Sequence, residues 1–362
     1  MSSDAGTDAA RLKPAGGEKL REAQAAVLRV LIPVLLALVM GGLILLALGK
    51  SPIAYYGYVL ERGLLRWGGL QETLTRMAPL LLIASGLIVA FRAGIWNLGG
   101  DGQFLLAAVI TAALGPALIT VLPRGPTLVL CMVASMLVGA AWSLIPAILK
   151  ARYGVNEIIT SLMMSFLGTS FANVLVKLFF RDPGTTVPQT RDLPVDDRLP
   201  RLIGTTIHSG VLIGLVVVVL VHLMMTRTSF GLKLQVVGAN PPAAVHAGLN
   251  VPWLTVATFA LSAGLIGLAG SVEILGVWGT VRADWNPAFG LLVVPLVFLA
   301  RFNGSAVIGF TLFFSALMIG GESAARRIGV PQHYVLVLVA LLLIFLALVE
   351  YLDYLRRRRL AA

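Results

Sequence analysis

Repeated apolar runs of about twenty residues constrain this chain most, because each can cross a hydrocarbon core of ~30 Å as a helix. They recur from residue 27 to residue 354, separated by polar stretches. Inside lipid every backbone N–H and C=O needs an internal partner, so the expected fold class is all-α and polytopic. Charged residues make up 12% of the chain, where a soluble domain carries about 25%. Ten spans are expected, at 27–48, 77–91, 94–122, 127–149, 158–180, 207–225, 253–278, 289–300, 306–320 and 334–354. The second reads as short and the eighth as short or broken. Residues 51–76, with Tyr55, Tyr56, Tyr58 and Trp67, read as an aromatic group at the membrane surface.

Residues 1–26 are polar and expected to be a disordered tail, 27–354 the transmembrane domain, and 355–362 a basic tail. The first apolar run is too long for a signal-peptide core and lacks a cleavage site, so it is kept as a span. An even span count puts both termini on one side. Lys and Arg are divided almost evenly between the two sets of loops, and the cluster Arg356 to Arg359 favours a cytoplasmic C-terminus. That cluster places residues 150–157, 230–251 and 301–304 in the cytoplasm, and the expected location is the cytoplasmic (inner) membrane. The net charge of +11 does not imply nucleic acid, because the basic residues are scattered between spans and at the ends. Cys131, the one cysteine, lies in an apolar run and reads as a packing residue. His208, His222, His246 and His333 are isolated, so no metal site is expected. No Walker-type glycine loop occurs, so no ATP and no other cofactor is expected on this chain.

Four features stand out from the apolar background. Asn97, Asp101 and Gln103 sit among Gly99, Gly100 and Gly102 between two strong apolar runs. That pattern fits a broken helix lining a solute path, with backbone groups free to meet a polar ligand. It also fits a short loop with Asp101 in water. Glu273 is the second acid within a span, either on the path or paired internally with a base such as Arg282. Trp96-Asn97 and Trp285-Asn286 each precede a glycine-containing apolar run, either as a trace of an internal repeat or by chance. Finally, in residues 230–251 Thr228-Ser229 can cap a short helix, Gly238 can end it, and Asn240-Pro241-Pro242 can open a second over 243–248. The result is either a small docking knob or an ordinary connecting loop.

These stretches together resemble the integral membrane permease of ATP-binding-cassette importers, in the branch with ribose and branched-chain amino-acid permeases. The simple-sugar and nucleoside subgroup is the closer match. FRAGIWNLGGDGQFLLAA, LKARYGVNEIITSLMMSF and RTSFGLKLQVVGANPPAAVHAGLNV are similar to three of its motifs, in the same order. Asp101 stands where that subgroup generally has Glu, Gln235 where it has Arg, and Pro242 where it has Glu. AFGLLVVPLVFLARFNG matches a fourth motif only loosely, with Pro295 added.

What the resemblance implies is a transport subunit, not an enzyme, that carries a nucleoside or simple sugar and is driven by ATPase subunits. Its implied partners are a second permease, the same or related, cytoplasmic ATP-binding subunits and an extracytoplasmic solute-binding protein; ATP belongs to the partner. A substrate pathway is expected at Asn97, Gly99, Asp101, Gly102, Gln103 and Glu273. The resemblance puts ATPase coupling at Gly238, Asn240, Pro242, Ala243, Ala244 and Gly248, and a second cytoplasmic motif at Asn156 and Glu157. The loop 181–206, with four prolines and four aspartates, is expected to face the binding protein. Two rivals stand beside this reading. An ion-coupled secondary transporter or channel would need more in-span carboxylates than Asp101 and Glu273. A membrane-embedded transferase would need an acidic cluster with metal spacing, which the aspartates of 181–206 lack.

Overall fold

The computed structural model of the protein describes residues 16–331 and 333–361, so the first part of the expected N-terminal tail lies outside the described residues. The chain divides into two compact units, residues 1–52 with 336–362, and residues 53–335. In the first unit, α1 (Gly16–Ala47) and nearly all of α13 (Tyr334–Ala361) are long apolar helices.

The regular elements of the second unit are helices. In order it holds α2 (Pro52–Leu60), α3 (Trp67–Arg92), α4 (Gly100–Leu118), α5 (Arg124–Tyr153), α6 (Glu157–Val174) and α7 (Gly210–Arg227). There follow α8 (Ser229–Ala239), α9 (Pro241–His246), α10 (Val251–Glu273), α11 (Phe289–Leu299) and α12 (Gly304–Ile328). π-helical turns extend three of these, at Glu61–Leu65, Leu175–Phe179 and Ile274–Trp278. The core lies along α3 and α10, whose most apolar windows are 78% buried, against 28% for α5 and α6. Backbone approach makes that packing possible: a Cβ on Gly86 or on Gly267 would collide with the backbone of Ser262 or Ser135. Without a hydrophobic force between helices in lipid, small residues at such crossings supply the van der Waals contact that holds them.

Among the described residues eight helices are long and apolar enough to cross a membrane. Two differences from the sequence reading concern the ends of spans. The second span is not short, because α3 runs for 26 residues from Trp67. Arg62, Arg66, Glu61 and Glu72 interrupt the apolar pattern but are paired, Arg62 with Glu72 at 2.8 Å and Arg66 with Glu61 at 2.6 Å. Nor is 51–66 only a surface group. Tyr55 is fully buried, and the Gly63 and Gly320 sites bring the α2 region within backbone contact of α12. At the other extreme, α11 has 11 residues and rises only about 16 Å, too little to cross.

Candidate functional site

The chain breaks after α3 and again before α11, and the two breaks are built alike. Asn97 accepts the N–H of Gly99 at 3.2 Å, and Asn286 accepts that of Ala288 at 2.8 Å. Each asparagine thus closes a local turn, which is why this residue type suits the position. Three residues on, a helix begins: α4 at Gly100 and α11 at Phe289. The tryptophans before them exchange partners. Trp96 stacks on Phe298 of α11, with centroids 5.5 Å apart, and Trp285 lies 6.0 Å from Phe104 of α4. The paired Trp-Asn steps therefore mark two interlocked helix starts, that of α4, long enough to cross, and that of the short α11.

Their starts cross at glycine. A Cβ on Gly290 would stand 2.6 Å from the Asp101 nitrogen, and one on Gly100 would stand 3.0 Å from the Gly290 Cα. The Asp101 carboxylate accepts the Gly290 N–H at 2.6 Å. It supplies the N-terminal cap that Ala288, at φ 54°, gives no side chain for. Asp101 is therefore 9% exposed and bonded to protein, not a loop residue in water.

Asn97 and Gln103 are each 1% exposed and face one another. Two amide hydrogen bonds join them, at 3.0 and 3.1 Å, and the Asn97 amide also donates to Ser262 of α10 at 3.1 Å. Gly102 lets the Ser165 backbone of α6 within contact, and its N–H donates to the Ser165 hydroxyl at 3.2 Å. Gly99 has a φ of −75°, so close approach is what requires glycine here, and positive φ is needed at Gly94 instead (70°).

Glu273 reaches the same region from α10. Its partner is Arg76 of α3, at 3.4 Å, and not Arg282; the Trp278 indole donates to the same oxygen at 3.0 Å. The Arg76 guanidinium lies over the Phe289 ring, 5.4 Å from its centroid. The structure thus gathers the two in-span acids around the start of α11, one on its first N–H groups and one beside its first side chain. Arg76, Phe104 and Phe289 belong to this site and were missed from the sequence; Trp278 and Trp285 belong to it too, the latter read from the sequence only as half of a paired Trp-Asn step. The signal that could have found Arg76 is a lone arginine directly before an apolar run, which needs a buried acid as partner.

The α8–α9 pair lies at the end of the unit reached by the C-terminus of α3. Thr228 caps α8 through the Gly231 N–H at 3.1 Å, and Asn240 caps α9 through that of Ala243 at 3.1 Å. Gly238 rests on backbone: a Cβ there would overlap the Arg92 carbonyl and stand 2.8 Å from the Gly94 nitrogen. Pro242, Ala243, Val245, His246 and Gly248 are exposed, whereas Ala244, expected on the water-facing side, is fully buried. The second motif expected in the cytoplasm lies at the turn after α5. There Asn156 caps α6 through Ile158 at 2.9 Å, and Glu157 pairs with Lys150 at 2.7 Å.

At the opposite end, the 181–206 loop is clasped to the exit of α10. Thr190, Leu193 and Leu199 donate backbone N–H groups to Val281, Gly279 and Leu275 at 2.8–3.0 Å. Arg198 fastens the clasp, donating to Leu193, Val277 and Asp192. Arg191 and Arg201 remain exposed. A measurement of Trp278 fluorescence should detect the clasp: Arg198→Ala is expected to shift it, as the Val277 carbonyl loses its donor, and Arg201→Ala is not.

Residues 69–347 match the family model described as branched-chain amino acid transport system, permease component. The chain is similar to the glucose ABC transporter permease protein of Haloferax volcanii, 33% identical over 333 residues covering 88% of this chain and 87% of that one. It is also similar to the guanosine ABC transporter permease protein of Bacillus subtilis, at 28% identity, covering 88% and 92% of the two chains. The nucleoside ABC transporter permease protein of Lactococcus lactis subsp. cremoris is 26% identical, with 88% and 89% covered.

Proposed function

The chain belongs to the family of branched-chain amino acid transport system permease components, and on that premise we propose that it translocates a nucleoside or a simple sugar. It is a multi-pass membrane permease subunit of an ATP-binding-cassette importer, a transport component and not an enzyme. Such a system includes ATP-binding and substrate-binding partners. The solute class is supported by the glucose, guanosine and nucleoside permeases that the chain resembles over most of its length.

In this reading the solute passes beside the crossing of the α4 and α11 starts. Asn97, Gly99, Asp101, Gly102 and Gln103 shape one wall and Glu273 the other. The α9 helix receives the ATPase, with Gly238, Asn240, Pro242, Ala243, Ala244 and Gly248 forming the coupling element and Asn156–Glu157 a second contact on the same face. That face is the cytoplasmic one, both termini lie on it, and ATP is bound and hydrolysed on the partner. A second permease, identical or related, completes the pathway in the inner membrane, and the 181–206 loop meets the solute-binding protein outside.

One observation carries the coupling assignment: the exposed α9 knob is joined to the core by backbone contact at Gly238, directly before the broken stretch. The test is Val245→Arg, since Val245 is 59% exposed and a charge there disturbs docking without entering the core. Uptake is expected to fall at least tenfold with normal membrane insertion; wild-type uptake would remove α9 from the docking surface. For the outer face, reversing the exposed charges Arg191 and Arg201 to glutamate should weaken capture of the loaded binding protein. A long-range charge effect of this kind is larger at low salt. A loss independent of ionic strength, or none, would place that interface elsewhere.

A further inference from the structure

One oxygen of the buried acid is unaccounted for. Glu273 is 1% exposed, and Oε1 takes both the Trp278 and the Arg76 hydrogens. Oε2 is buried and receives no donor from the described residues. Buried polar atoms of native proteins are nearly always paired, so an orphan acceptor points to a partner that comes from elsewhere. Its surroundings define that partner. The π-helical turn Ile274–Trp278 adds one residue per turn to the end of α10 and thereby swings the Trp278 indole back onto Glu273. Trp278 is 41% exposed and stands edge-on to Trp285, centroids 6.0 Å apart. Arg76 keeps 19% of its side chain exposed beside the acid.

We propose that Glu273, Arg76, Trp278 and Trp285 form a docking site for the sugar ring of the solute and read a vicinal diol. One hydroxyl donates to Glu273 Oε2, its neighbour accepts from Arg76, and the ring's C–H face lies against an indole. An acceptor and a donor fixed side by side match the two hydroxyls of a diol, each of which can serve either role. The pairing also discriminates. A lone carboxylate or phosphate that meets Arg76 also stands next to Glu273, and a lone ammonium that meets Glu273 stands next to Arg76, so a singly charged solute gains little from the pair. This inference rests on the solute class proposed above. A diol is carried both by the ribose of a nucleoside and by a free hexose, and the experiment separates the two.

The complete importer, with its partner subunits, is reconstituted in vesicles. Initial uptake is measured for guanosine and 2′-deoxyguanosine, and for glucose and 2,4-dideoxyglucose, whose deoxy forms keep no vicinal diol, in wild type and Glu273→Gln. Selectivity of the binding protein is unchanged by a substitution in this chain and cancels in the comparison. Uptake of the diol solute is expected to fall about tenfold in Glu273→Gln, as a hydrogen bond to a charged acceptor is lost. Its deoxy counterpart is expected to change less than twofold. The pair that shows this asymmetry identifies the source of the diol. An equal fall for both members of a pair would overturn the site while leaving the solute class intact. Wild type that moves none of the four would overturn the solute class and the site with it. A second readout needs no change at Glu273: the tryptophan fluorescence of the wild-type permease, without binding protein, should respond to the diol solute and not to the deoxy form. That response should vanish in Trp278→Phe, and its absence from wild type would equally overturn the site.

Discussion

Asp101→Leu is expected to abolish uptake while leaving the protein inserted, whereas Asp101→Asn is expected to retain uptake within a few-fold. The carboxylate is the only cap that α11 receives from the described residues at its start, through the Gly290 N–H at 2.6 Å. Leucine removes the acceptor and leaves a buried N–H without one, at a cost of about 1–3 kcal/mol. That is small beside the ~5–15 kcal/mol that hold a domain together, so folding survives. The local effect is larger, because this bond and the Gly100–Gly290 approach, together with the Phe104–Phe289 ring contact, hold the start of α11 against α4. Leucine's branched end would also press on Gly290, whose missing Cβ already lies 2.7 Å from an Asp101 oxygen. Asparagine keeps an oxygen of the same reach and loses only the charge. Uptake per inserted molecule measures both variants. Full uptake by Asp101→Leu would reduce the crossing of the α4 and α11 starts to a packing kink.

The sequence disclosed the helical class, the break at Asn97 to Gln103 and the α8–α9 pair because each is a local signal. Apolar runs, glycines beside amides, and capping residues before prolines act over a few residues and need no knowledge of the fold. What it hid depends on distance in the chain. Arg76 and Glu273 pair across 197 residues, and within a span an acid's partner cannot be chosen by proximity in sequence, which made Arg282 as good a candidate. The length of α3 was hidden for a related reason: its first turns carry Gln71 and Glu72, whose partners Thr206 and Arg62 appear only after folding. Ala244 shows the limit of composition. Alanine suits an exposed knob and a tight contact equally, and only the packing of α9 decides that it is buried.

Gly238→Ala should separate ATP hydrolysis from uptake, because it strikes the place where α8 meets the end of α3 backbone to backbone. The added methyl would overlap the Arg92 carbonyl and stand 2.7 Å from the Ala93 carbonyl carbon. Backbone cannot turn aside as a side chain can, so α8 must lift from α3, and overpacking of this kind costs about 1–3 kcal/mol. The contact falls at a sensitive position. Arg92 ends α3 and donates to the Phe302 carbonyl at 3.1 Å, beyond the end of α11, and Gly94 at φ 70° turns the chain into the stretch that carries Asn97. A displacement of α9 can therefore reach the starts of both α4 and α11 through this joint. With that joint lifted, a docked ATPase can still turn over, but its motion no longer arrives at the crossing. The expected outcome is ATP hydrolysis within a few-fold of wild type with uptake reduced at least tenfold, measured in the same vesicles. Uptake equal to wild type would show that force enters the core elsewhere. Loss of both activities, with loss of the ATPase from the purified assembly, would show that Gly238 serves docking and not transmission.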